Sequence, residues 1–218
     1  MNKEQIIEST IGFVKETLEG AEGGHDWFHI ERVYKNALLI AKGEKVDEFV
    51  LALGALLHDI ADAKFHNGDE SIGPKKARAF LESQGVENDI IVHVENIILF
   101  ISFKSSLGSG EKFTSVELDV VQDADRLDAI GAIGIARCFN YGGFKNRSLY
   151  DPSIIPNLSM TKEEYKNSTA PTINHFYEKL LLLKDKMNTK TGRRIAADRH
   201  RYMEEFLQQF YNEWNGLK

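Results

Sequence analysis

Apolar positions recur along this chain at three- and four-residue intervals, and no stretch alternates apolar with polar over the length of a strand. The pattern predicts an all-α fold. A first amphipathic helix covers about residues 3–19. Asp26 can cap a second, with Ile30, Val33, Ala37 and Ile40 as its buried stripe. Asp47 can cap a third, largely buried helix that runs to about Ala61. A fourth runs from about Pro74, where proline suits a first turn, to Gln84, and Gly85 stops it. A fifth covers about Asn88 to Phe103, and a sixth starts at Ser115 and reaches Gly131 and Gly134. Ser105–Thr114 and Tyr141–Met160 read as loops. The longer loop holds Gly142, Gly143, Pro152 and Pro156, with Lys145 and Arg147 among them. Two long helices follow, about Pro171–Met187 and Thr191–Trp214. The second carries Ile195, Tyr202, Met203, Phe206, Phe210 and Trp214 at helical spacing. There is no internal repeat.

Composition narrows the class. The 218 residues are 42% apolar, enough for one sizeable core or one core with a helical extension. A net charge of -6 disfavours sequence-independent binding to a nucleic-acid backbone, so no nucleic-acid polymer is expected as a partner. The single cysteine, Cys138, excludes a disulfide framework and a cysteine zinc site. The longest apolar run, Phe49 to Leu57, is about half the length a membrane span needs. No basic segment leads into an apolar one near the N-terminus, so the expectation is a cytoplasmic protein without a membrane partner.

Four polar side chains fall on or beside the apolar stripes. His29 shares the row of Val33, Ala37 and Ile40, and Asp125 continues the row of Leu118 and Val121. His58 and Asp59 follow nine apolar residues. A buried carboxylate without a partner costs several kcal/mol or is protonated, and a cation removes that cost. Each position has an ordinary explanation when taken singly. His29 suits a hydrogen-bonded core histidine, His58-Asp59 a helix end reaching water, and Asp125 a buried ion pair with Arg126 or Arg32. Together, imidazoles and carboxylates converging from three helices suit a divalent cation with open positions for water and a phosphoryl oxygen.

The order His…His-Asp…Asp resembles the HD superfamily of metal-dependent phosphohydrolases. The flanking words match too: His25-Asp26-Trp27-Phe28-His29, His58-Asp59-Ile60-Ala61-Asp62 and Asp123-Ala124-Asp125-Arg126-Leu127-Asp128. Nearly the whole chain is similar to a short bacterial subfamily of that group. The resemblance implies an HD-domain helical bundle with the two long C-terminal helices packed on it. The chain would then be a single domain, with its metal core at about 20–140 and a C-terminal extension at about 160–218.

The resemblance selects Asp125 over Asp123 and Asp128, and implies one metal held by His29, His58, Asp59 and Asp125. Mn²⁺ ranks first, with Mg²⁺, Fe²⁺ and Ni²⁺ as alternatives. Binuclear relatives use further histidines, but His66 lies in a polar stretch and His93 has no matching neighbour, so both are expected at the surface or in structural roles. Asp59 serves the chemistry through the metal, and Asp62, one turn after His58, is the candidate general base. Arg32, Lys104 and Lys179 within the family-like words, and Lys145 and Arg147 in the long loop, are the candidate substrate contacts.

The implied activity is cleavage of nucleoside triphosphates to monophosphate and pyrophosphate. Nucleoside monophosphate phosphatase, cyclic or alarmone phosphodiesterase, and a non-catalytic nucleotide-binding module remain as alternatives. The partner is a small nucleotide, and the protein is a monomer or homodimer.

Overall fold

In the computed structural model the residues described are 2–21, 24, 26–61, 69, 71–101 and 113–218, without the side chains of 162, 163 and 166. Among them every regular element is helical. The fold is all-α, as the periodicity predicts. The chain forms two compact units, Met1–Asp125 and Arg126–Lys218.

The first unit is organised around α3 (Glu48–Leu57), every residue of which from Phe49 to Leu57 is buried. Burying a leucine side chain stabilises by roughly 1.5–3 kcal/mol, so Leu51, Leu53, Leu56 and Leu57 anchor the core. Around α3 pack α1 (Lys3–Thr17), α2 (Trp27–Ala41) and α5 (Asn88–Phe100). A Cβ on Gly54 would lie 2.8 Å from Cδ1 of Ile97, so the glycine lets α5 seat directly on the α3 backbone. α4 (Ile72–Ser83) packs along α5, where Arg78 pairs with Glu95. Side-chain caps set the starts of the inner helices: Asp26 accepts from the His29 N–H, and Asp47 from those of Phe49 and Val50.

α6 (Val116–Asp128) enters this unit under three polar ties. Gln122 donates to the carbonyls of Phe100 and Ile101 at the end of α5. Asn36 on α2 donates to the Ala124 carbonyl. Glu117 accepts from the Asp47 N–H and approaches His93 Nε2 at 3.4 Å. His93 Nε2 also lies 2.9 Å from Ser115 Oγ, so this histidine joins α5 to the start of α6.

The second unit holds the end of α6, then α7 (Gly131–Phe144), α8 (Lys162–Asn167), α9 (Asn174–Glu178), a 3₁₀ helix (Leu180–Lys186) and α10 (Lys190–Trp214). α10 packs on α7 and on the 3₁₀ helix. Phe206 of α10 meets Phe139 and Phe176, both with centroids 5.9 Å away. Buried Asp128 pairs with Arg137 at 2.5 Å, and Arg199 donates to the Leu127 carbonyl.

Four boundaries differ from the sequence expectation. α3 stops at Leu57 rather than near Ala61, because the Ile60 N–H bonds back only three residues to the Leu57 carbonyl. The sixth helix stops at Asp128. Gly131 takes φ +75°, a left-handed conformation that separates it from α7. α7 then runs through Tyr141–Phe144, which the sequence assigned to the long loop. The expected helix over 171–187 is broken at Lys179, whose φ of -145° lies outside the helical region; α9 precedes it and the 3₁₀ helix follows. The loop expected over 105–114 lies outside the described residues except for Phe113 and Thr114. No helix among the described residues is long and apolar enough to cross a membrane.

Candidate metal centre

Three of the expected ligands come together in the first unit. His29 sits in the first turn of α2, His58 directly after α3, and Asp125 near the end of α6. One ligand atom from each lies within 4.8 Å of the others. His29 Nε2 is 3.5 Å from Asp125 Oδ1, and the two imidazoles meet edge to face with centroids 5.4 Å apart. Both histidines are nearly inaccessible, at 3% and 6% exposure, while Asp125 is half-buried and open on one side. The backbone cap from Asp26 fixes the turn that carries His29.

Whether these residues suit a cation turns on His58. Its Nδ1 lies 2.8 Å from the Ala55 carbonyl, which can only accept, so Nδ1 carries the proton. Burial, aided by the charge of His29 and opposed by Asp125 and Asp59, holds the imidazole's pKa below its ordinary value. The ring is therefore neutral near pH 7, with a lone pair on Nε2. That atom is buried and has no hydrogen-bond partner among the described residues. A buried polar atom left this way costs about 1–3 kcal/mol. A bare imidazole nitrogen, oriented by a carbonyl behind it and set beside a second imidazole and a carboxylate, is the donor set of a divalent cation. The residues fit the group.

Asp59 does not join the three. The sequence argument placed His58 and Asp59 on a continuing helix, about 100° apart around one cation. His58 keeps helical dihedrals as it follows α3, and Asp59 lies half-buried in the turn after it. Its charge nonetheless acts on His58. Arg32 is half-buried on α2, one turn after His29. Asp62, Lys104 and His66 lie outside the described residues.

The remaining expected substrate contacts belong to the second unit. Lys145 Nζ and the Arg147 guanidinium both lie 5.6 Å from the Tyr141 ring centre, and Lys179 Nζ lies 5.5 Å from that of Tyr165. The loop that carries Arg147 is pinned. Thr172 and Ile173 donate to the Ser148 and Leu149 carbonyls, and Asn174 to that of Ile154.

One contributor escaped the sequence reading. Asn36 is a buried amide on the row His29, Val33, Asn36, Ile40, and it holds α2 to α6 beside Asp125. The signal was present: a polar residue on an apolar stripe, the same feature that singles out His29.

The chain is similar to known proteins over nearly its whole length. The HD domain family model matches residues 27–130. The Bacillus subtilis protein YpgQ is 36% identical over 207 residues, covering 94% of this chain and 92% of that protein. The crystal structure of an HD-superfamily hydrolase from Bacillus thuringiensis is similar with a TM-score of 0.79 at 46% identity, covering 98% of this chain and 99% of that one. The crystal structure of B. subtilis YpgQ in complex with ADP is similar with a TM-score of 0.74 at 33% identity, covering 98% and 97%.

Proposed function

The chain belongs to the HD domain family, and on that premise we propose that it is a metal-dependent hydrolase of nucleotides, cleaving nucleoside triphosphates to monophosphate and pyrophosphate. The observation that carries the reading is the buried Nε2 of His58, without a hydrogen-bond partner among the described residues and beside His29 and Asp125. The ADP held by the similar YpgQ supports a nucleotide as the substrate class.

His29, His58 and Asp125 would hold the cation, with Asp59 completing the set from the neighbouring turn; Mn²⁺ is the leading choice. The cation would supply Lewis acidity at a phosphoryl oxygen and make water a better nucleophile near neutral pH. The protein's share is positional. Burial keeps His58 neutral, the Ala55 carbonyl keeps it aimed, and the Asn36 tie sets the spacing between His29 and Asp125. Asp62, four residues after His58, takes the proton of the attacking water. Arg32 and Lys104 would neutralise the phosphates.

The test is a screen of nucleotides with added Mn²⁺, Mg²⁺, Fe²⁺ or Ni²⁺, resolving phosphate from pyrophosphate. Monophosphate and pyrophosphate from a triphosphate, lost in Asp125→Ala, support the reading. Inorganic phosphate as the sole product rejects pyrophosphate release, and no turnover with any cation rejects hydrolysis.

A further inference from the structure

Within the C-terminal unit, positive charge gathers around two rings that the metal centre does not use. Tyr165 of α8 stacks on His175 of α9 with centroids 5.8 Å apart, and its hydroxyl lies 3.3 Å from His175 Nδ1. Lys179 Nζ stands over the same tyrosine ring. Arg147 donates to the Ser168 carbonyl just after α8, a bond that brings its charge to bear on both Tyr165 and His175. Glu178 also acts on Tyr165, but its Oε1 already accepts from the Asn157 N–H.

We propose that Arg147, Lys179, Tyr165 and His175 form an anion site, built wholly within the C-terminal unit, that takes a pyrophosphate group. The inference rests on the nucleotide reading for the identity of the anion, and on the geometry for the site. Two cations of different shape converge here. Arginine offers a planar fork and lysine a point charge, and such a pair suits adjacent phosphoryl groups better than a single carboxylate. One neutral donor joins them. With the Tyr165 O–H donating to Nδ1, the imidazole proton rests on Nε2 and adds an N–H.

Burial first, and then Lys179 and Arg147, push the His175 pKa down to about 4. An anion bound among these groups reverses the last two influences, so binding and the protonation of His175 are thermodynamically linked.

The test uses the full chain with metal removed by EDTA and inorganic pyrophosphate as the probe. The His175 ring proton is followed by NMR against pH, and affinity is measured by calorimetry. Saturating pyrophosphate should raise the His175 midpoint by roughly one pH unit or more. Arg147→Gln and Lys179→Gln should each weaken binding about tenfold or more, and Arg147→Lys should recover part of the loss. A midpoint that stays near 4 at saturation overturns the site. So does unchanged affinity in both glutamine variants.

Turnover then separates two sources of the group. A raised KM for triphosphate in Arg147→Gln and Lys179→Gln identifies the substrate's own distal phosphates, whereas an unchanged KM with lost pyrophosphate binding identifies a separate anion. The binding measurement needs neither metal nor turnover, so its failure leaves the hydrolase reading intact. A protein that binds pyrophosphate this way but hydrolyses nothing overturns only the hydrolase reading.

Discussion

The side-chain amide of Asn36 donates to the main-chain carbonyl of Ala124 at 3.3 Å, one residue before Asp125. The bond locks the helix that bears His29 to the helix that bears the carboxylate. Outer hydrogen bonds of this kind typically change metal affinity by about 10–100-fold. Asn36→Leu keeps the volume but removes the donor. It should weaken cation binding by that factor, read by calorimetry, and cost the metal-free fold only about 1 kcal/mol in urea unfolding. A parental metal affinity would show that the tie does not position the site.

Metal and stability should be coupled through His58. A ligand that binds only the folded state stabilises it by about 2.7 kcal/mol at a hundred times its Kd. Mn²⁺ should therefore raise the Tm of the parent, and EDTA should reverse the rise. In His58→Ala the rise should vanish. The metal-free Tm should fall less than for a core leucine, because the lost ring takes with it a buried nitrogen that has no partner among the described residues. A Tm response to Mn²⁺ that survives in His58→Ala would place the cation elsewhere.

Asp59 and Asp62 should separate by assay. Asp59 neighbours the three gathered ligands, so Asp59→Asn should lower metal affinity and activity together. Asp62→Asn should leave metal content unchanged and lower kcat by roughly 10²–10⁴-fold, the range for a lost general base. Metal loss in Asp62→Asn would make it a ligand, and full activity would remove it from the mechanism.

Acid should weaken the C-terminal unit through His175. Its pKa falls from 6.5 to about 4 on folding, so the unfolded chain binds the proton more readily. Stability is then fully present above about pH 6.5 and declines as pH drops toward 4. The loss attributable to this group is on the order of 2–3 kcal/mol. His58 shifts in the same direction, so the parent alone does not isolate the effect. Urea midpoints at pH 7 and pH 4.5 in EDTA should differ less in His175→Gln than in the parent. Equal differences would refute the assignment.

The helices and the gathering of His29, His58 and Asp125 were legible because burial leaves a periodic trace, and polar residues on that trace stand out. Asn36 carried the same trace and was passed over, since a neutral amide demands less of its surroundings than a charge does. The break at Lys179 leaves no such mark. Neither glycine nor proline occurs between Ile173 and Met187, and the apolar spacing continues across it. The cluster around Tyr165 was invisible for another reason. Arg147 and Lys179 lie 32 positions apart, and the chain meets them at one tyrosine–histidine pair only after α8 and α9 have formed.

Because α3 is buried from Phe49 to Leu57, it has no side on which sequence change is cheap. Each leucine-to-alanine change there should cost about 2–5 kcal/mol, a large fraction of a domain's whole stability. A library randomised across these nine positions and selected only for folded protein should return nearly the parental hydropathy and volume at every one. Variation selected for a new substrate must therefore arise on the other helices, while the residue that follows α3, His58, travels with a segment that cannot drift.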